Sequence, residues 1–335
     1  MPINKPFTYN TPRPRVWSII GNKLENSPKT ALEVLEQCDL NFEVALAETY
    51  AKFAPTKDKP RNGKLIPNVN TIYRTDNEAI FGICSDRYEI IQNNKAFEFF
   101  DDIVGEGKAI YETAGSLYGG RVTFITAKLP KLIQVHGKDN IEEYLLFTNS
   151  HDGTTPVTIM FTPIRVVCEN TLHSALSGAG ARFTAKHTKS IVEKLDLART
   201  ILGITTQKAE ELSQLFEVMS NKNIQDWQLK NFIHATFLTE KELTILAKTN
   251  SYEAADISTK KLNIIDSVLD YAENGIGQKL DTTKGTVFGA YNAISGYFQN
   301  VSSIKDNEKH YESIISGNAF NYTKKAFELS LAMIK

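Results

Sequence analysis

The chain has 335 residues, of which 41% are hydrophobic and 23% are charged, a composition that is typical of folded globular proteins and excludes a disordered chain. At roughly 100–200 residues per domain, this length predicts about two domains. Lysine and arginine total 38 against 39 acidic residues, so the net charge is −1 and any nucleic-acid surface must be a local patch.

Cysteine usage and hydropathy indicate the compartment. Cys38, Cys84 and Cys168 are widely spaced and include no CxxC metal pair, which suits a reducing environment. No apolar run approaches the ~18 residues of a membrane span. The N-terminus lacks the hydrophobic stretch of a signal peptide. We therefore expect a soluble, cytoplasmic protein without membrane contact.

Residues 1–68 are predicted to form an arm, a helix and a basic loop. Four of the eleven prolines lie within the first fifteen residues, and proline disfavours helix there. Ser27 and Pro28 are typical of a helix start, ahead of apolar residues from Ala31 onwards. The stretch Lys52–Pro67 contains five cations and one acid, which predicts a cationic loop.

Residues 69–203 are predicted to form a central α+β domain with an antiparallel sheet. Three pairs of β segments are separated by turn sequences and predict hairpins: Thr71–Arg74 with Ala79–Ile83, Ala109–Ala114 with Val122–Ala127, and Tyr144–Thr148 with Val157–Phe161. Apolar spacing predicts helices over about Asn93–Val104 and Asn170–Leu176. The domain thus has a β-hairpin, helix, β-hairpin layout.

Residues 204–335 are predicted to be helical. Thr239 and Glu242 form a capping box, Ser258 begins a helix that ends at Gly275, and a last helix covers about Tyr322–Ile334. Aromatic residues cluster among small ones at Phe288, Tyr291, Tyr297 and Phe298. This cluster favours a packed core or a contact between subunits of a homo-oligomer.

Several short motifs follow one another in order: Tyr88–Asn93, Ala114–Arg121, Thr148–Gly153, Arg165–Leu172 and Lys186–Thr188. They resemble the phage/plasmid-like family catalogued as domain of unknown function 932. Trp17 and Gly21 resemble the N-terminal element of that family, with Ser18 where a His is usual. Gly285–Ala293 also resembles the family, with Phe288 at a usual Trp position. The resemblance implies a product of a phage, plasmid or integrative element, often encoded beside recombination genes.

The layout of residues 71–168 also resembles the core of the Rad-fifty-two/RecT/Redβ single-strand annealing superfamily. This resemblance is one of fold and includes no motif. It implies an oligomer that binds single-stranded DNA and promotes annealing, with no covalent step and no cofactor.

Cationic residues cluster in two stretches that suit this function. Lys108–Lys138 contains five cations and one acid, and Gly178–Arg199 contains five cations and two acids. Single-strand binding needs such cations together with ring faces for base stacking. The predicted phosphate contacts are Arg121, Lys128, Arg165, Arg182, Lys186 and Lys189, and the predicted stacking rings are Tyr118 and Phe183. Solvated faces of ordinary elements would have the same composition.

Two other function classes remain open. The first is an effector that binds a host or phage protein, for which a near-neutral charge is equally suitable. The second is a hydrolase or nuclease centred on His151, Asp152, Cys168 and His187. These residues match no known metal spacing; Cys168 also suits a buried thiol, and Asp152-Gly153 suits a turn. The glycines of Gly115–Arg121 form no P-loop because a strand, not a helix, follows them.

Overall fold

Two antiparallel sheets precede a helical C-terminal region, so the chain has the predicted α+β fold. The computed structural model describes residues 11–54, 63–98, 100–101, 109–172, 182–188 and 209–335. No helix within those ranges is long and apolar enough to cross a membrane.

The N-terminal elements are short: α1 (Val16–Ile20), β1 (Gly21–Lys23) and α2 (Ala31–Gln37). Helix α2 begins later than predicted. Its N-cap is Thr30, whose hydroxyl accepts a hydrogen bond from the Glu33 amide at 3.2 Å. Ser27 lies outside the helix because its backbone is left-handed, at φ 46°.

A small sheet of three strands follows, made of β2 (Val44–Ala51), β3 (Lys64–Arg74) and β4 (Ile80–Ser85) in that order. The first predicted hairpin is confirmed as the β3–β4 pair. Strand β3 runs across the predicted boundary between residues 68 and 69. Helix α3 (Asn93–Phe97) occupies the start of the predicted second helix, and residues 102–104 of that prediction lie outside the described residues.

The large sheet adds β5 (Ile110–Leu117), β6 (Val122–Val135), β7 (Asp139–Ser150), β8 (Val157–Arg165), β9 (Asn170–Thr171) and β10 (Arg182–Ala185). Its order is β1-β5-β6-β7-β8-β10, with β9 also paired to β8. The second and third hairpins are confirmed. The helix predicted from Asn170 is wrong at its start, because Asn170 and Thr171 pair with β8; residues 173–176 lie outside the described residues.

Both faces of the large sheet are covered by helices. On one face Phe97 of α3 packs against Phe147, with ring centroids 4.7 Å apart. On the other face Trp17 of α1 packs against Tyr144 at 5.4 Å. Every residue of β8 is consequently buried. The strand therefore lacks the alternation of buried and exposed residues that is expected when one face of a sheet is open to solvent.

The C-terminal region is helical, as predicted. Residues 209–221 are helical (α4) and are followed by α5 (Asp226–Phe237), α6 (Glu240–Thr249), α7 (Thr259–Asn274), α8 (Val287–Gly296), α9 (Asn307–Ile315) and α10 (Asn318–Ile334). Thr239 and Ser258 are N-caps, as predicted. Phe288 and Tyr291 are fully buried, so the aromatic cluster of α8 belongs to the core.

Candidate functional site

Three of the sequence motifs, Ala114–Arg121, Thr148–Gly153 and Lys186–Thr188, lie at one end of the large sheet. The strand register aligns Phe124, Thr148, Thr158 and Thr184 in one row across β6, β7, β8 and β10. Arg121, the turn at residues 151–156 and Lys186–Thr188 all lie just beyond this row. The antiparallel register therefore brings together segments that are distant in sequence.

A cleft of about 540 Å³ opens at this end of the sheet. Its lining residues come from the end of β4, the β7–β8 turn and the segment after β10: Cys84, Ser85, Arg87, Tyr88, Gly153, Thr154, Thr155, Pro156, Lys186, His187 and Thr188. The lining contains two cations and no carboxylate. Its chemistry therefore suits an anionic ligand.

Tyr88 and His187 form a stacked pair in the wall of the cleft, with ring centroids 4.9 Å apart and planes at 17°. The Tyr88 hydroxyl donates to the Ser150 carbonyl at 3.1 Å. His187 Nδ1 lies 3.2 Å from the Glu89 carbonyl, so Nδ1 carries the proton. Burial lowers the pKa of His187, and the ring is consequently neutral at neutral pH.

The turn that forms another wall is held by Asp152. Its carboxylate accepts hydrogen bonds from the Ser150 hydroxyl at 2.6 Å and from the Thr154 amide at 2.8 Å. Burial alone would raise the pKa of Asp152, but these hydrogen bonds outweigh it and the net pKa is lowered. Gly153 has a left-handed backbone, at φ 77°, which confirms the predicted Asp-Gly turn.

Three exposed cations lie at this end of the sheet: Arg87 and Lys186 line the cleft, and Arg121 directly precedes β6. Within the part of the chain that the structure describes, no carboxylate forms an ion pair with any of them. Arg121 and Lys186 are separated by three strand spacings, about 14 Å at ~4.8 Å per strand. We call Arg87, Arg121 and Lys186 the cationic end.

Comparison with known proteins identifies the family. A sequence model of the family described as domain of unknown function (DUF932) matches residues 80–315, which is more than half of the chain. The chain belongs to the DUF932 family. No curated protein and no solved structure matches the chain.

Two DUF932 motifs meet beneath the cleft, where Asn93 contacts His151. His151 Nε2 lies 2.8 Å from Asn93 Oδ1, and both side chains are buried. Burial, and secondarily the charge of His187, lowers the pKa of His151 to about 3. His151 is therefore a neutral core residue that positions the turn above it.

Arg165, a predicted phosphate contact, is fully buried in the DUF932 chain. Its Nη2 lies 2.6 Å from Asp139 Oδ2 and 3.1 Å from the Gly277 carbonyl. The Thr282 hydroxyl donates to the same Asp139 oxygen at 2.7 Å. Arg165 thus joins β8 to the helical region, and its guanidinium is not available to a phosphate.

The other predicted cations differ in their surroundings. Lys128 pairs with Glu142, which also binds Arg15. Arg182 is half-buried and lies over the Phe320 ring, 5.2 Å from its centroid. Lys189 lies outside the described residues. Arg121 and Lys186 are the two predicted contacts that the structure brings to the cationic end.

The predicted stacking rings are both occupied by protein contacts. Tyr118 is partly buried and packs against the hydrophobic core, and burial together with Glu312 raises the pKa of its hydroxyl. Phe183 packs against the core. These contacts reduce the ring area that either residue could offer to a base.

Exposed rings that sequence reasoning missed lie on the β2–β3 hairpin. Tyr50 is 55% exposed and Phe53 is 59% exposed. Ser85 at the cleft pairs with Val69, whereas Tyr50 pairs with Leu65, so the hairpin continues about 13 Å past the cleft at ~3.3 Å per residue. The sequence could have indicated these rings as stacking candidates, because Tyr50 and Phe53 lie on either side of the cation Lys52. Sequence reasoning also missed Arg87, which directly precedes the Tyr88–Asn93 motif.

Of the residues proposed for hydrolysis, His151, Asp152 and His187 lie together at the cleft, whereas Cys168 lies apart from them. Cys168 is fully buried, and burial raises the pKa of its thiol. It follows the far end of β8, about 26 Å from the turn that contains Asp152 at ~3.3 Å per residue. Among the described residues, no three or more His, Cys, Asp or Glu side chains are grouped so that they could hold a metal ion.

Proposed function

We propose that the chain binds single-stranded DNA on its cationic end and promotes annealing of complementary strands. The observation that carries this proposal is that Arg87, Arg121 and Lys186 are exposed, unpaired within the described residues and next to a hairpin with exposed rings. Phosphate contacts and ring faces are the two requirements of sequence-independent single-strand binding.

Annealing would need no covalent step from these residues. Two complementary strands repel each other through their phosphates, and unpaired cations lower that repulsion when both strands lie on one surface. Tyr50 and Phe53 would hold bases of one strand by stacking, which leaves their pairing edges free. The resemblance to phage and plasmid proteins supports a role in recombination of a mobile element, in an oligomeric assembly.

Fluorescence anisotropy of a labelled single strand of about 30 nucleotides tests the binding, at low and at physiological salt. We expect micromolar or tighter binding that weakens as salt rises, by a multi-subunit species in mass photometry of the same sample. A strand-annealing assay then tests the activity. Absence of binding at low salt would overturn the proposal, because electrostatic attraction is strongest there.

Alanine variants locate the binding surface. Arg87→Ala and Lys186→Ala should weaken binding, whereas Lys131→Ala should not. Lys131 is an exposed cation of β6, the strand that Arg121 directly precedes. It lies about 30 Å from Arg121 along that strand at ~3.3 Å per residue. Equal losses in all three variants would mean that charge anywhere on the protein suffices, and would remove the cationic end from the proposal.

A protein partner is the second candidate function, and one observation favours it. Ile80 and Ile83 are 64% and 65% exposed on the outer face of the small sheet, where a β-bulge puts both side chains on the same side. Exposed apolar patches of this kind mark protein contacts. A protein without DNA affinity that forms a stable complex in a pull-down, lost in Ile83→Asp, would favour this function.

A further inference from the structure

We propose that the cleft between β4, the β7–β8 turn and the segment after β10 binds a single nucleotide, with its phosphate on Arg87 and Lys186. This inference rests on the proposed function and deepens it. The cationic end would then contain a discrete pocket for one unit of the strand, rather than only a track of charges.

The size of the cleft favours a small organic anion. Its volume of about 540 Å³ falls within the ~300–1,000 Å³ that is typical of small-molecule sites. An inorganic phosphate would occupy a small part of that space. A duplex would not enter it, so an unstacked nucleotide is the element of a DNA chain that fits.

The polar groups of the cleft match a phosphate ester. Arg87 and Lys186 supply the positive charge, and a guanidinium can bind two phosphate oxygens at once. The hydroxyls of Ser85 and Thr155 line the cleft and have no hydrogen-bond partner within the described residues. They can donate to further phosphate oxygens or to the sugar.

Flat and apolar surfaces complete the lining. Tyr88 and His187 present their stacked pair at the wall, and Pro156 adds an apolar edge. A bare phosphate gains nothing from these groups, whereas a base or sugar can pack against them. The lining thus combines a charged part and a ring-bearing part, as a nucleotide does.

Histidine side-chain NMR of the full chain tests the inference, with deoxythymidine 5′-monophosphate as the probe. His187 borders the cleft and should shift on titration. His136 lies in the β6–β7 turn at the opposite end of the sheet and should not shift. Thymidine and inorganic phosphate are titrated separately, and each should bind at least tenfold more weakly than the nucleotide.

Three variants separate this inference from the function on which it rests. Arg87→Ala and Lys186→Ala should abolish the His187 shift, while Arg121→Ala should preserve it and still weaken binding of the single strand. A chain that binds the single strand but shows no His187 shift at millimolar nucleotide would overturn the nucleotide pocket and leave the proposed function standing. Phosphate that binds as tightly as the nucleotide would also overturn it.

Discussion

Asn93 accepts a hydrogen bond from His151 Nε2 at 2.8 Å, and this contact connects the start of α3 to the β7–β8 turn. The Asn93 amide nitrogen donates to the Leu40 carbonyl at 2.9 Å, so its oxygen must be the acceptor. His151 therefore carries its proton on Nε2. Because the pair is buried in the core, His151, which was a candidate for hydrolysis, instead supports the wall of the cleft together with Asn93.

This pair predicts a pH-dependent stability. The pKa of His151 is about 3 when folded, against 6.5 as a free side chain, so the unfolded chain binds more protons between these values. The free energy of unfolding should fall as pH drops from 6.5 towards 3, by up to ~1.4 kcal/mol per pH unit from this group. Urea denaturation of wild type and His151→Gln at several pH values measures it. The other buried histidines are present in both proteins, so their contribution cancels in the comparison. If the unfolding free energies of wild type and variant change with pH in the same way, the assignment to His151 is refuted.

Gly82→Ala should distort the cleft. A Cβ at Gly82 would lie 2.3 Å from the Asp152 carbonyl oxygen, so β4 or the turn must move. We expect a loss of about 1–3 kcal/mol in unfolding free energy, and weaker single-strand binding. Gly63→Ala is the matched control for stability, because its Cβ would meet the Tyr50 Cβ at an ordinary 3.5 Å. Wild-type behaviour of Gly82→Ala in both assays would contradict the packing described.

Arg165→Met should unfold more easily without losing DNA affinity. Removing the guanidinium leaves the Asp139 carboxylate buried and unpaired, which costs about 3–5 kcal/mol. Replacing both residues, as Arg165→Met with Asp139→Leu, should recover part of that loss. Chemical denaturation measures the stability, and anisotropy at a temperature where the variant is folded measures binding. Weak binding by the folded variant would indicate that Arg165 contacts phosphate after all.

Arg121→Ala should lower the salt dependence of binding more than Lys128→Ala. Loss of one phosphate contact reduces the log–log salt slope by about 0.7 for a single strand. Lys128 is already paired with Glu142, so its removal should leave the slope nearly unchanged. Equal slopes for the two variants would show that exposure and pairing do not distinguish these cations.

Tyr50→Ala and Phe53→Ala should each weaken single-strand binding at every salt concentration. Stacking of a base on a ring is worth about 1–3 kcal/mol, which corresponds to at least a fivefold loss of affinity. Trp227→Ala is the control, since Trp227 is 61% exposed but lies on α5 in the helical region. A loss in the Trp227 variant equal to that in the others would remove the hairpin from the binding surface.

Local signals in the sequence were sufficient for the elements that depend on neighbouring residues. The three hairpins follow from turn sequences such as Asp152-Gly153, and two C-terminal helices begin at the predicted caps Thr239 and Ser258. The α+β class and the family followed from these patterns and from motif order. Where a local signal met a tertiary contact it failed, as at Asn170, whose pairing with β8 overrides its helical pattern.

Whether a charged residue is buried or exposed was decided by the tertiary structure. Arg165 and Lys186 are both cations beside apolar strands in sequence, yet Arg165 is 0% exposed against Asp139 while Lys186 is exposed at the cleft. The difference arises because strand register and helix packing determine which end of the sheet is covered, and neither is encoded by residues adjacent to the charge. The sequence determined which elements form and which family they belong to, whereas long-range packing selected the cations that face solvent.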